Sequence, residues 1–433
     1  MFTLASGLLL VPSLYRAFQR EAEQIFADHL LVLSLAYIGY FVIGALLIPF
    51  GPRDQADYAL SSYWVSARLG LRITAVNCIG FGLALLSGSL VGRTWVSRWA
   101  GKAIGFGKAI SQGWAIVAFL LIGGASSLYV LPYDVGLKPG LVSGTLRTMS
   151  MMVYIAILVA AAHRGRGSSL LLGSAIALTL TQAFAGLLML NKSSILLPIV
   201  ALLAGLAWRY GVRRVALPGL AVLLAVFLLV GSLVHTGRNT YGIGNRVDWQ
   251  ERTQMMFKGL LASSNSSQEE EYHSWARFCY ISSQGAALDL YDSHQGSKDY
   301  TRLGWALLPR LIFPDKPMIT TGREFNIKIT GSDYSSNAPG IFLDGYYNLG
   351  WWGVIIVGVS AGCILAWTSA FAREVFRARA LIWVPVAMLG GFMAFRVDGN
   401  FLADFWGTFV LFGYLLLAAG LLTGNLKKSR KSP

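Results

Sequence analysis

Ser169–Leu190 reads SLLLGSAIALTLTQAFAGLLML; no charged residue interrupts it, and Arg164, Arg166 and Lys192 stand just outside its ends. A helix needs about 20 such residues to cross roughly 30 Å of hydrocarbon. A backbone in lipid must satisfy its own hydrogen bonds, which leaves helices or the strands of a closed barrel. Barrel strands alternate apolar and polar side chains, and this stretch does not alternate. It is predicted to be a membrane helix, and the fold class follows from how often the pattern recurs.

Outward from this stretch, further spans are predicted near 30–50, 71–91, 110–131, 148–162, 194–209, 215–235, 349–371, 381–395 and 401–424. The whole chain agrees, being 55% hydrophobic and 13% charged, against about 25% charged in soluble domains. The expected fold is an all-α polytopic membrane protein with about ten or eleven transmembrane helices. The number turns on Phe2–Tyr15, which is apolar but short: a short first span or a half-inserted segment. The N-terminus lacks a basic start followed by a cleavage site, so no removable signal peptide is expected. Cys78, Cys279 and Cys363 make no disulfide framework and no Cys/His spacing suggests zinc, so neither metal nor cofactor is expected.

The short connections sort by charge. One set carries Arg93, Arg98, Lys102, Lys108, Arg164, Arg166, Arg209, Arg213, Arg214, Arg373, Arg377, Arg379, Lys427, Lys428, Arg430 and Lys431 against a single acid, Glu374. That excess of fifteen equals the formal net charge of the chain, +15. It is the positive-inside bias and places these connections in the cytoplasm; nucleic acid is not an expected partner. Residues 51–70, 132–147, 191–193, 236–348 and 396–400 then face the other side. The chain thus divides into membrane helices over 1–235, one large outer loop over 236–348, and further helices with a basic tail over 349–433. The loop is nearly neutral, with 11 Lys/Arg and 12 Asp/Glu between Thr236 and Asn348. Within it 271–290 has helical spacing (Trp275, Phe278, Cys279, Ser282, Ala286, Leu290), with a weaker case at 248–262, while Pro309, Pro314 and Pro317 force turns.

Four cations fall on the outward ends of spans: Arg147, Lys192, Arg238 and Arg396. Each alone is an interfacial anchor; together on one rim they suit an anionic ligand such as a diphosphate. Two acids lie at the same level, Asp344 in LDGYYNLGWWG and Asp398 in FRVDGN, each able to act as a general base or to pair with an arginine. Trp351 and Trp352 suit the aromatic belt. The dense aromatics of the loop, Tyr346 among them, suit the apolar faces of sugars. Arg310 and Lys316 sit in a proline-bracketed segment, followed by Arg323 in Gly322–Asn326, that holds the two cations in place or leaves them merely solvated. His273 and His294 read as bystanders. No phosphate-binding glycine loop and no Ser/His/Asp order is present.

Pro309-Arg310 through Pro314-Asp-Lys316-Pro317, then Gly322…Phe325-Asn326, then Gly345-Tyr-Tyr-Asn-Leu-Gly-Trp-Trp-Gly353 resembles the Wzy-type O-antigen and exopolysaccharide repeat-unit polymerases of bacterial envelopes. The layout of many spans with one large periplasmic loop is similar too. Family members often carry Glu where this chain has Asp344, and their Arg-X10-Gly repeats are not evident here. The resemblance implies a GT-C-like glycosyltransferase of the bacterial inner membrane, independent of nucleotide and metal. It would join polyprenyl diphosphate-linked oligosaccharides among membrane lipids, alongside a flippase and a chain-length regulator. On that reading Asp344 is the first choice of base and Asp398 the second, Arg238, Arg396 or Arg147 takes the leaving diphosphate, and the 271–290 helix covers the site. The alternatives are an O-antigen ligase, which shares the chemistry, and a lipid-linked oligosaccharide flippase or other transporter.

Overall fold

The computed structural model describes residues 27–417 apart from 62, 93, 108–111, 135–136, 139–145, 147–148, 166, 190–191, 242–253, 255–278, 309–312, 314–320 and 332–336. Among the described residues the chain is helical and contains no strand. In chain order the helices are α1 (His29–Phe50, with a π turn at Ile38–Ile43), α2 (Arg53–Ser61), α3 (Ala67–Leu90), α4 (Thr94–Gly107) and α5 (Gln112–Asp134). They continue with α6 (Met152–Ala162), α7 (Ser168–Leu188), α8 (Lys192–Tyr210), α9 (Val212–Tyr241) and α10 (Ile281–Asp292). Last come α11 (Thr321–Thr330), α12 (Ile341–Arg377), α13 (Val384–Phe395) and α14 (Phe401–Leu417). Each expected span falls on a helix. Six stretches are long and apolar enough to cross a membrane: His29–Phe50, Ala67–Leu90, Gly113–Tyr133, Ser168–Leu188, Ile341–Arg377 and Leu381–Asp398.

The contacts form two compact units, one of residues 1–109 with 273–433, the other of 110–272. In the second unit α6 packs on α5, α7 and α8, and α8 on α9. Small residues allow this: a Cβ on Gly205 would meet the backbone of Leu158, and one on Gly186 would lie 2.7 Å from the backbone of Ser194. Gln182 donates to Ser127 Oγ across the α5–α7 seam at 2.6 Å.

In the first unit α12 lies along α3 as its principal partner. Gly80, Ala84 and Gly88 make a small-residue row on α3, and Gly358 and Gly362 make another on α12. A Cβ on Gly358 would stand 2.7 Å from the Gly80 carbonyl oxygen, and one on Gly362 would overlap that of Ala84. Ser87 Oγ donates to the Val359 carbonyl at 3.1 Å. Close backbone approach of this kind drives helix association where lipid offers no hydrophobic contrast. The side chains of Leu71, Leu86, Ile355 and Ile356 remain exposed along the same helices, as surfaces in contact with lipid would be.

One end of this unit gathers α2, α10, residues 299–302 and the turn 396–400. The other gathers α4 and the C-terminal part of α12. There Val96, Ala100 and Ile104 of α4 are buried one turn apart while Arg98 is exposed, and Trp367 Nε1 donates to the Gly92 carbonyl at 3.3 Å. Segments that the charge alternation assigned to the same side therefore do meet, but α4 itself was not foreseen in that basic connection.

Two helices differ from expectation. The helix expected over 271–290 is described only from Ile281, and Ser282–Leu288 is buried on every side instead of along one face. Serine, glycine and alanine side chains let neighbours approach all round: Ser282 Oγ donates to the Ala59 and Tyr63 carbonyls at 2.6 and 2.9 Å, and Gly285 seats Val65. The span expected to start at 349 belongs to a helix starting at Ile341, behind Gly340 with φ +85°. Of the weaker helical expectation at 248–262 only residue 254 is described, and Pro309, Pro314 and Pro317 lie outside the described residues.

Candidate functional site

Helix α12 turns a corner before it becomes a span. Leu349 (φ −138°, ψ 15°) and Gly350 (φ 60°, ψ −143°) leave helical geometry, the latter in a region that glycine alone enters without strain. The reversal brings Gly345 and Gly353 together, so that a Cβ on Gly345 would lie 2.7 Å from the Gly353 carbonyl oxygen. The Tyr291 ring fills the space a side chain at 350 would need. The first limb of the corner, Ile341–Asn348, is buried throughout.

Asp344 sits in that limb at 3% exposure. Its Oδ2 accepts from the Tyr300 hydroxyl at 3.1 Å and from the Phe401 amide at 3.0 Å. Asn348 Nδ2 donates to the Asp344 carbonyl and its Oδ1 accepts from the Tyr300 amide, closing a ring of contacts around the corner. Burial, with Asp344 beside it, pushes the Tyr300 hydroxyl well above its ordinary range, so it remains a donor.

The Phe401 amide belongs to the turn that also carries Asp398 and Arg396. Asp398 Oδ2 accepts from the Tyr280 hydroxyl at 2.9 Å, and Tyr280 packs edge-on against Tyr40 at 5.5 Å. Burial and the adjoining Asp398 likewise raise the Tyr280 hydroxyl far above its usual range. The Arg396 side chain is 39% exposed and its Nη2 pairs with Asp404 Oδ1 at 3.1 Å. Its Nε stands 3.7 Å from Asp398 Oδ1, and neither of these two buried atoms makes a hydrogen bond among the described residues. Asp404 Oδ2 accepts from the Asn400 amide at 3.0 Å and so caps the break between α13 and α14.

Tyr346 joins a second cluster at the C-terminal end of α10. Arg72 Nη1 pairs with Asp292 at 2.7 Å and its Nη2 donates to the Tyr346 hydroxyl at 3.0 Å, which in turn donates to Asp292 Oδ1 at 3.1 Å. Trp351 stands edge-on to Tyr346 at 5.5 Å and keeps an exposed face, as does Trp352. Nearby, the Tyr63 hydroxyl donates to Asp289 at 2.5 Å; burial and that carboxylate push it up to about 12.

Asp344, Asp398 and Arg396 thus meet at one turn, with Tyr346 at the far end of α10. Arg323 lies exposed on α11, and His294 is exposed just past α10 with φ +61°. Lys192 opens α8 and Arg238 lies in α9, both in the second unit and with side chains outside the description. Arg147, Arg310, Lys316 and His273 lie outside the described residues. Sequence reasoning missed Asp404 and Arg72. The available signal was that each is the one charged residue in its expected span, 401–424 and 71–91, and intramembrane charge marks function by default.

A family model described as "Domain of unknown function (DUF8712)" matches residues 117–421. The chain belongs to this DUF8712 family. The matched stretch contains Asp344, Arg396, Asp398 and Asp404, whereas Arg72 precedes it. Neither a curated protein nor a solved structure matches the chain.

Proposed function

We propose that the protein is a polymerase joining polyprenyl diphosphate-linked oligosaccharide repeat units at the periplasmic face of the bacterial inner membrane. The observation that carries this reading is the 396–404 turn, where a half-exposed guanidinium stands beside a carboxylate oxygen that makes no hydrogen bond among the described residues. An acceptor hydroxyl attacks the anomeric carbon of the growing chain. The new glycosidic C–O bond forms as the bond to the lipid diphosphate breaks. Asp398 takes the hydroxyl proton and Arg396 meets the charge that grows on the departing diphosphate. Asp398 is preferred over Asp344 because it stands beside Arg396, the cation that meets the diphosphate, whereas Asp344 is enclosed in the corner at 3% exposure. The Tyr346–Trp351 edge beside Arg72 and Asp292 suits a sugar, offering an aromatic face next to paired hydrogen-bonding groups.

Purified protein given only a lipid diphosphate-linked repeat unit in detergent is expected to release polyprenyl diphosphate and build a ladder of longer lipid-linked chains. A chelator leaves the ladder intact and no nucleotide is needed. A ligase makes no ladder until lipid A-core is added, and a transporter leaves the substrate covalently unchanged; either result overturns the reading. Orientation has its own test. A reporter active only outside the cytoplasm is expected to work when fused at Ser264 and to fail at Gly165 or Gly211, and activity at both kinds of site removes the outward-facing reaction.

A further inference from the structure

Arg396 has two acids within reach, and the tighter contact is with Asp404, eight positions away, at 3.1 Å from Nη2, while the nearer Asp398 stands 3.7 Å from Nε. The arrangement is built from three directions. Asp404 Oδ1 takes Nη2, Asp404 Oδ2 takes the Asn400 amide, and Gly399 leaves room for the carboxylate, since a Cβ there would overlap it. Asp404 lies within the π turn Phe401–Trp406; such turns recur at functional sites. The ionisable groups that face Asp398 are Tyr280 from the start of α10, Tyr40 from the π turn of α1, Arg396 on its own turn and Asp404 on α14.

We propose that Asp404 is the positioning residue of this site: by holding Arg396 through Nη2 it keeps the guanidinium at 3.7 Å from Asp398, short of a hydrogen bond, and so leaves that carboxylate the stronger proton acceptor. The catalytic part of the inference rests on the polymerase reading. If Asp404 is lost, Arg396 turns to Asp398, and the neighbouring negative charge disappears as well. Both changes favour the ionised form of Asp398 and weaken it as a base.

The test uses full-length protein. In Asp404→Asn, which retains an oxygen for the Asn400 amide, the acid limb of the ladder-growth rate is expected to move down by about one pH unit. The rate at neutral pH falls about tenfold, and Asp404→Glu recovers part of it. Gly399→Ala, whose backbone (φ −83°) accepts alanine, displaces the Asp404 carboxylate and shifts the limb the same way. An unmoved limb in both variants overturns the proposal, because a purely structural Asp404 lowers the amount of folded enzyme without altering the pH at which the base titrates. Thermal unfolding in detergent decides independently of activity. Arg396→Gln and Asp404→Asn are expected to be non-additive. The coupling between Arg396→Gln and Asp398→Asn, whose side chains stand 3.7 Å apart in the natural chain, is expected to grow in the Asp404→Asn background. Additivity of the first pair, or no greater coupling in that background, overturns the proposal even if the natural chain makes no ladder and the polymerase reading falls.

Discussion

Asp398→Asn is expected to slow ladder growth about 10²-fold or more, the usual scale for removing a general base, with little loss of folded protein. The side chain is partly accessible, and its Oδ2 already accepts the Tyr280 hydroxyl, a contact that an amide oxygen can preserve. What the amide cannot do is accept the proton of the acceptor hydroxyl. Asp344→Asn should behave in the opposite way. Asp344 is enclosed, and it joins residue 300 to residue 401 across the corner. Weakening those charge-assisted hydrogen bonds costs about 1–3 kcal/mol of stability, whereas the rate per folded molecule stays within about threefold of the natural chain, because a bystander carboxylate leaves the proton transfer intact. Rates normalised to the monodisperse fraction on size exclusion separate the two. If Asp344→Asn loses the rate and Asp398→Asn keeps it, the base is Asp344, the residue the sequence motif put first.

The second large effect concerns the corner. A methyl group on Gly353 lands on the carbonyl oxygen of Gly345, a backbone atom that no side-chain rotamer can clear. Gly353→Ala must therefore open the contact between the two limbs, and with it the contacts of Ile341–Asn348 that place Asp344 and Tyr346. The expected cost is about 3 kcal/mol, at the upper end for overpacking, read as a fall in the thermal midpoint in detergent. Gly82→Ala on α3 is the control: among the described residues no neighbouring atom lies within 4 Å of its added Cβ. Alanine is also the better helix former, by about 1 kcal/mol, so that variant should match or exceed the natural chain. Equal midpoints for Gly353→Ala and the natural chain would show that the corner yields, and the packing argument for it would fail.

Tyr280 and Tyr300 show how the first unit is joined at this end. Each brings a hydroxyl from a segment between the spans to a carboxylate on or beside a span, Asp398 and Asp344 respectively. Burial keeps both phenols protonated. They therefore tie the segments to the helices with charge-assisted hydrogen bonds, which are stronger than neutral ones.

The membrane helices were legible in the sequence because the bilayer acts on each stretch by itself: a run such as Ser169–Leu190 must be helical whatever surrounds it. The sorting of basic connections was legible for the same reason, since the charge bias acts on short flanks one at a time. Asp344, Asp398 and Arg396 could be singled out as ionisable residues at span ends. Their partners could not be read in that way. Tyr280 lies 118 positions from Asp398 and Tyr346 lies 274 from Arg72, and no local periodicity encodes such distances. The complete burial of α10 and the α3–α12 seam depend likewise on small residues from segments far apart meeting face to face. The choice of Asp404 over Asp398 as the partner of Arg396 was decided by tertiary structure alone. Both acids are close to the arginine in sequence, and the more distant one reaches its guanidinium through a break where a Cβ at Gly399 would overlap the carboxylate.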